Sequence, residues 1–89
     1  MLLLPASVTL REARETLSML TQTLQRDGAA AATVDASGLQ QFDSSALAVL
    51  LECARVAQGQ GKTFAVHGAP AQLGELARLY GVDALLTLQ

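Results

Sequence analysis

The stretch from Ala32 to Leu51, ATVDASGLQQFDSSALAVLL, places the tightest constraint on how this chain folds. It begins with strand-favouring residues, crosses a polar turn, and opens at Asp43 into an apolar segment too long and too even to be a strand. Ser44 and Ser45 then stand in the first turn of a helix, where backbone N–H groups lack partners. We expect one of these hydroxyls to cap the helix. Phosphate acceptance and contact with a partner remain open for Ser44.

Composition limits the class of protein. The 89 residues are expected to make one domain that spans 1–89. Of these residues 51% are apolar but only 3% are aromatic, so the core is expected to be built from Leu, Val and Ala. The net charge is −2 and the six Lys and Arg are scattered, which argues against nucleic acid or an anionic membrane surface as the main ligand. The single Cys53 fits a reducing compartment, and no apolar run spans a bilayer, so a cytoplasmic protein without direct membrane insertion is expected.

Hydrophobic periodicity predicts strands that alternate with helices. Thr9 and Glu12 form a capping box, and glycine-containing turns end each helix. Such alternation implies right-handed βαβ crossovers. We therefore expect an α/β domain with a small mixed β-sheet of about four strands covered by three α-helices. The expected elements are a strand at Leu2–Leu4, a helix from about Leu10 to Arg26, a strand at Ala30–Ala36, a loop at Gly38–Phe42, a helix from Ser44 or Ser45 to about Gln58, a strand at Lys62–His67, a third helix ending at Gly81, and a short strand or turn at Leu85–Leu88.

The predicted second helix has more apolar surface than its core contact requires. One inward stripe suffices for packing, and an apolar centre with a charged rim remains on the outward side, as in protein interfaces. Arg78 and Leu79 fall outside the inward stripe of the third helix (Leu73, Leu76, Ala77 and Tyr80) and extend this surface. An ordinary solvated helix face is the alternative, because single exposed leucines are common. The candidate partner-binding residues are Ser44, Ser45, Ala48, Leu51, Glu52, Arg55, Arg78 and Leu79, and the inward stripe is Leu47, Leu50, Cys53 or Ala54, and Ala57.

Catalysis and metal binding have little support in the residues. His67 is the only histidine, and no G-x-S-x-G elbow surrounds Ser44, so a serine hydrolase lacks a visible base. Asp35 and Asp43 alone make a poor magnesium site. We expect no catalytic residue, no metal and no cofactor, and Cys53 is expected to be inert core.

The segment VDASGLQQFDSSALAVLLECARVAQGQGKTFAVHGAP, followed by LGELARLYGVDALL, resembles the STAS domain of bacterial anti-sigma-factor antagonists and sulfate-transporter tails. The most specific part is Asp43-Ser44-Ser45-Ala46-Leu47 at a strand–loop–helix junction. In the antagonists the residue matching Ser44 is phosphorylated by a partner kinase. This chain departs from the antagonist motif at Ala46, where glycine is usual, and a stiffer helix start weakens the switch interpretation.

The segment Leu76-Ala77-Arg78-Leu79-Tyr80-Gly81-Val82 is similar to the MlaB-like STAS subunits of a bacterial phospholipid-transport system. This resemblance implies a non-enzymatic subunit that binds the cytoplasmic ATPase of an ABC transporter, peripheral to the inner membrane. The alternative it leaves open is an anti-sigma-factor antagonist that binds an anti-sigma factor or kinase and is regulated at Ser44. STAS domains usually begin with two strands, whereas this chain has room for barely one, so either the sheet is trimmed or translation starts upstream. In isolation the domain is expected to be able to dimerise through its apolar helix face or a strand edge.

Overall fold

The computed structural model describes residues 2–88, which form five short strands and four helices. The longest element is a helix that carries the Asp43-Ser44-Ser45 motif at its start. The α/β class is confirmed. In the stretch Leu85–Leu88, where a final strand or turn was expected, a fourth helix ends at Leu86 and Leu88 forms a single parallel bridge to Val66. In chain order the elements are β1 (Leu2–Leu3), β2 (Ser7–Val8), α1 (Ala13–Arg26), β3 (Ala31–Asp35), β4 (Gln41–Phe42), α2 (Ser44–Gly59), β5 (Thr63–His67), α3 (Ala71–Leu79) and α4 (Asp83–Leu86).

The strands form a three-stranded sheet in the order β1-β3-β5 and a separate two-stranded ladder of β2 and β4. Every strand pairing within residues 2–88 is parallel, so the expectation of mixed pairing is wrong. A helix crosses over between the strands of each pair, which is what parallel neighbours require. The expectation of barely one strand before α1 is also wrong, since β1 and β2 both precede it. A two-residue strand is too short to show alternation in the sequence.

The core lies where the helices pack on the three-stranded sheet. Its largest fully buried side chains include one or two from each helix and one from each of several strands. Leu10 was expected to begin α1, but it is 79% exposed, because α1 begins only at Ala13 and Leu10 lies in the preceding turn. The fully buried residues are Leu20, Leu24, Leu50, Leu73, Leu86, Val8, Val34, Val66 and Cys53.

The helix ends show why the chain turns where it does. The Glu12 carboxylate accepts hydrogen bonds from the Ser7 hydroxyl at 2.6 Å and from the Thr9 N–H at 3.2 Å, which joins β2 to α1 and lowers the pKa of Glu12. This confirms the contact from Glu12 to Thr9 that the capping box predicts. At the other end of α1, the Lys62 ammonium donates to the backbone carbonyls of Leu24 (3.0 Å) and Asp27. A cation there complements the helix dipole.

Two glycines end helices as predicted, and both have positive φ. Gly61 (φ 73°) follows α2 and Gly81 (φ 72°) follows α3. In each case the glycine N–H and the next N–H donate to carbonyls in the last turn of the helix, the pattern of a Schellman motif. The second motif brings Val82 back against the end of α3, where its N–H bonds to the Ala77 carbonyl at 2.9 Å. None of the helices within residues 2–88 is long and apolar enough to cross a bilayer.

Candidate functional site

The N-cap of α2 is Asp43, not Ser44 or Ser45 as the sequence predicts. One carboxylate oxygen of Asp43 accepts a hydrogen bond from the Ser45 N–H at 2.8 Å, and the other accepts from the Leu10 N–H at 3.2 Å. These contacts favour the ionised carboxylate, the Ser45 backbone contact most strongly, and the pKa of Asp43 is lowered from 3.8. Asp43 therefore caps the start of α2 and also connects it to the turn before α1.

Capping by Asp43 leaves the hydroxyl of Ser44 unengaged. Ser44 is the first residue of α2 and its side chain is exposed. Among residues 2–88 no group hydrogen-bonds to its hydroxyl, whereas the half-buried Ser45 lies against Asp43. The exposed oxygen is thus free to donate to, accept from, or be modified by another molecule.

A shallow depression, which we call the Ser44 groove, lies beside this hydroxyl. It is lined by Ser44, Leu47, Ala48, Leu51, Tyr80 and Val82. Ala48 is exposed and Leu51 is half-buried, so the structure brings together three of the predicted site residues on one surface. The groove is mostly apolar and open to solvent, and the hydroxyl-bearing side chains in its lining are Ser44 and Tyr80.

Tyr80 is the groove residue whose predicted position is wrong. It was expected in the inward stripe of α3, but it is 59% exposed. The reason is local: α3 ends at Leu79, and Tyr80 is the C-cap residue before the Gly81 turn, so its side chain leaves the helical stripe. Gly81 already predicted the helix end. The hydrogen-bond spacing of a Schellman motif places the residue before this glycine, Tyr80, at the C-cap and not in the helical stripe.

Glu52 and Arg55 form the expected charged pair on α2. The Arg55 Nε donates to a Glu52 carboxylate oxygen at 2.7 Å, and a guanidinium Nη contacts the same oxygen. The hydrogen bond from Arg55 lowers the pKa of Glu52, and that bond raises the pKa of Arg55. Glu52 lines a second groove, between α1 and α2, whereas Arg55 lines neither that groove nor the Ser44 groove.

Arg78 and Leu79 are exposed as expected, but neither lines the Ser44 groove. Arg78 lies beside Gly74 and Leu88 in a separate depression near the start of α3. A Cβ at Gly74 would stand 3.7 Å from an Arg78 nitrogen and 4.0 Å from the Leu88 side chain, which are ordinary contact distances, so the packing there does not require glycine. The sequence placed these two residues on the outside of α3 but did not determine which groove they adjoin.

Reactive groups elsewhere are few. Cys53 is fully buried in α2, and burial raises the pKa of its thiol to about 12, which leaves it protonated and unreactive at neutral pH. His67 stands at the end of β5 in register with Asp35 of β3. Hydrogen bonds from the Ser37 hydroxyl and N–H lower the pKa of Asp35, with a smaller contribution from His67. Within the described residues no three His, Cys, Asp or Glu side chains are grouped so as to hold a metal ion.

Comparisons with known proteins agree with this architecture. A solved STAS domain protein from Planctomyces limnophilus, described as an anti-sigma-factor antagonist, superposes with a TM-score of 0.77 over 94% of this chain and 72% of that one. The two sequences are 16% identical, so this likeness concerns the fold. No curated protein sequence matches significantly. The family described as "Mlab, STAS domain" matches residues 1–87. The chain therefore belongs to the MlaB-type STAS domain family.

Proposed function

We propose that this chain is a non-enzymatic interaction subunit that binds and supports the cytoplasmic ATPase of a phospholipid-transporting ABC complex maintaining outer-membrane lipid asymmetry. In this role it lies in the cytoplasm, peripheral to the inner membrane through the complex. Membership in the MlaB-type family supports the proposal. The observation that carries it is the Ser44 hydroxyl, which is exposed and unengaged beside an apolar groove.

The Ser44 groove has the properties of a protein contact rather than a catalytic site. Its lining is mostly apolar and includes two side chains with hydroxyls, Ser44 and Tyr80, a combination common in protein interfaces. The small side chain of Ala48 lets a partner backbone approach α2 closely. Tyrosine is enriched at interfaces because its ring is large and rigid and its hydroxyl remains polar. In this proposal Ser44 hydrogen-bonds to the ATPase, and the groove takes up an apolar side chain of the ATPase.

Ala48→Glu is the sharpest test of this surface. Ala48 is exposed and glutamate is a good helix former, so the substitution blocks the groove with little effect on folding. The assay is the Kd for the purified ATPase of the same transport system, measured alongside co-purification of the two proteins. We expect Ala48→Glu to weaken binding by at least about tenfold, which corresponds to about 1.4 kcal/mol.

Met19→Glu is the matched control, because Met19 is also an exposed apolar residue (48%) but lies on α1 outside the Ser44 groove. It adds the same charge elsewhere, and we expect it to bind like the native chain. Equal affinities for Ala48→Glu and the native chain would show that the ATPase does not use this groove. Failure of the native chain itself to bind the ATPase would contradict the proposed function.

A second candidate function is an anti-sigma-factor antagonist regulated by phosphorylation of Ser44. The exposure of the Ser44 hydroxyl favours it, since a kinase requires an accessible acceptor. Phosphate would add a charge of about −1.5 to −2 at the start of α2, next to Asp43, and would repel an acidic partner. A mass increase of one phosphate on incubation with a kinase partner, lost in Ser44→Ala, would support this candidate. Constitutive, phosphate-insensitive binding to the transporter ATPase would contradict it.

A further inference from the structure

A second groove runs between α1 and α2, on the other side of α2 from Tyr80. Its volume is about 780 Å³, against about 390 Å³ for the Ser44 groove. Its walls are largely apolar and include Leu10, Leu17, Ala48, Val49 and Val56. Leu10, which is 79% exposed, is one of these lining residues, and its N–H bond to Asp43 ties its backbone to the start of α2. Ala48 lines both grooves, so the two surfaces are continuous across α2.

The walls determine the kind of segment that the groove accommodates. Both walls are helices, α1 and α2, whose backbone N–H and C=O groups bond within each helix and offer no edge for strand addition. An extended peptide in the groove would leave its own backbone groups without partners, which is costly away from water. A helix satisfies its backbone internally and lays one apolar face in such a groove. The α2 wall from Ser45 to Val56 is about 17 Å long, which matches a helix of about three turns.

Charge further restricts the occupant. Two charged side chains line the groove, Arg14 on α1 and Glu52 on α2. Glu52 is neutralised by Arg55, while no ion-pair partner for Arg14 occurs among residues 2–88. The groove therefore presents one uncompensated positive charge on its α1 side. A carboxylate on the bound segment would complement it.

We infer that the α1–α2 groove is a second docking site, which takes an amphipathic helix of about three turns with an acidic residue opposite Arg14. The inference rests on the proposed function for the identity of the partner, the transporter ATPase. It adds that the ATPase contacts α2 on both sides, so that Ala48 lies between two contact regions. A helix in this groove covers Leu10 and completes the packing between α1 and α2 on the solvent side.

The test uses the complex of the full chain with the ATPase and a photo-crosslinking amino acid placed at Ser18, which lines the α1–α2 groove, or at Leu51, which lines the Ser44 groove. We expect Ser18 to crosslink to a helix of the ATPase that carries Asp or Glu. We also expect Arg14→Glu to weaken binding by about tenfold, with recovery when that acidic residue is changed to arginine. Arg11→Glu is the control, since Arg11 makes the same charge change on an exposed residue outside the groove.

The outcomes separate this inference from the proposed function. Crosslinking from Leu51 but not from Ser18 would overturn the second docking site and leave the proposed function standing. Crosslinking from Ser18 to a strand or loop, or equal effects of Arg14→Glu and Arg11→Glu, would also overturn it. Crosslinking from neither position, with no complex formed, would contradict the proposed function itself.

Discussion

The different roles of Asp43, which caps α2, and Ser44, whose hydroxyl is unbonded within residues 2–88, predict different effects on stability. Asp43 supplies both cap contacts, to the N–H groups of Ser45 and Leu10, whereas the Ser44 hydroxyl bonds to no group within residues 2–88. Removing the Asp43 carboxylate leaves two backbone donors without their partner. Removing the Ser44 hydroxyl leaves every described contact in place. Asp43→Ala should therefore destabilise the fold and Ser44→Ala should not.

Loss of an N-cap in a domain of this size corresponds to a decrease in Tm of about 4–8 °C, which is the value expected for Asp43→Ala. An exposed substitution with no lost contact stays within about 3 °C, the limit expected for Ser44→Ala. Thermal unfolding followed by circular dichroism at pH 7 measures both. Because the pKa of Asp43 is lowered from 3.8 in the folded state, its ionised form stabilises the fold above that pH. The Tm difference between the native chain and Asp43→Asn should therefore shrink as the pH falls below 3.8.

Equal destabilisation by Ser44→Ala and Asp43→Ala would refute this reasoning. It would mean that Ser44 is the working cap and that its hydroxyl is not free for a partner. A Tm difference between the native chain and Asp43→Asn that grows on acidification would show that the folded state favours the protonated carboxyl, contrary to the hydrogen bonds that Asp43 accepts.

Three further predictions concern the core and the helix ends. Cys53 should not react with a thiol reagent in the native chain at pH 8, because burial raises the pKa of its thiol to about 12. It should react once denaturant unfolds the chain, and reaction in the native chain would contradict its burial. Lys62→Met should lower the free energy of unfolding, measured by urea titration, by about 1–2 kcal/mol, because two carbonyls at the end of α1 lose their hydrogen-bond donor. The control Arg26→Met, in the last turn of α1, should lower it by less than about 0.5 kcal/mol. Gly81→Ala should lower the free energy of unfolding by about 1–2 kcal/mol, because the φ of Gly81 is 72°. Gly28→Ala should leave it unchanged, because Gly28 has open space around it and no positive φ. Equal effects of the two substitutions would refute the argument that the turn after α3 requires glycine.

The sequence predicted the parts of the fold that repeat over several turns. The apolar spacing through Leu47, Leu50 and Ala57 located the inward face of α2, and the structure confirms these residues as buried. Gly61 and Gly81 located the ends of α2 and α3 because a left-handed residue needs glycine there. The apolar spacing and the helix-ending glycines depend on local sequence, and so they can be interpreted without knowing the tertiary contacts.

Other features depended on contacts that a linear pattern does not show. The strands β2 and β4 are two residues each and exist because Ser7–Val8 lies beside Gln41–Phe42, far away in sequence. Asp43 caps α2 with one oxygen and accepts a bond from Leu10, 33 residues earlier, with the other, and the local sequence does not show this second contact. The site was predicted in part: Ser44, Ala48 and Leu51 share a groove, but Tyr80 joined it only because α3 ends one residue before it.

The accessibility of position 44 in the complex tests the central claim most directly. Since Cys53 is buried, a Ser44→Cys variant carries one thiol exposed for alkylation, and the alkylation rate reports on that position alone. With saturating ATPase we expect this rate to fall by at least about tenfold, because the partner covers the first turn of α2. An unchanged rate, measured while the complex is shown to be intact, would contradict the claim that Ser44 lies in the interface.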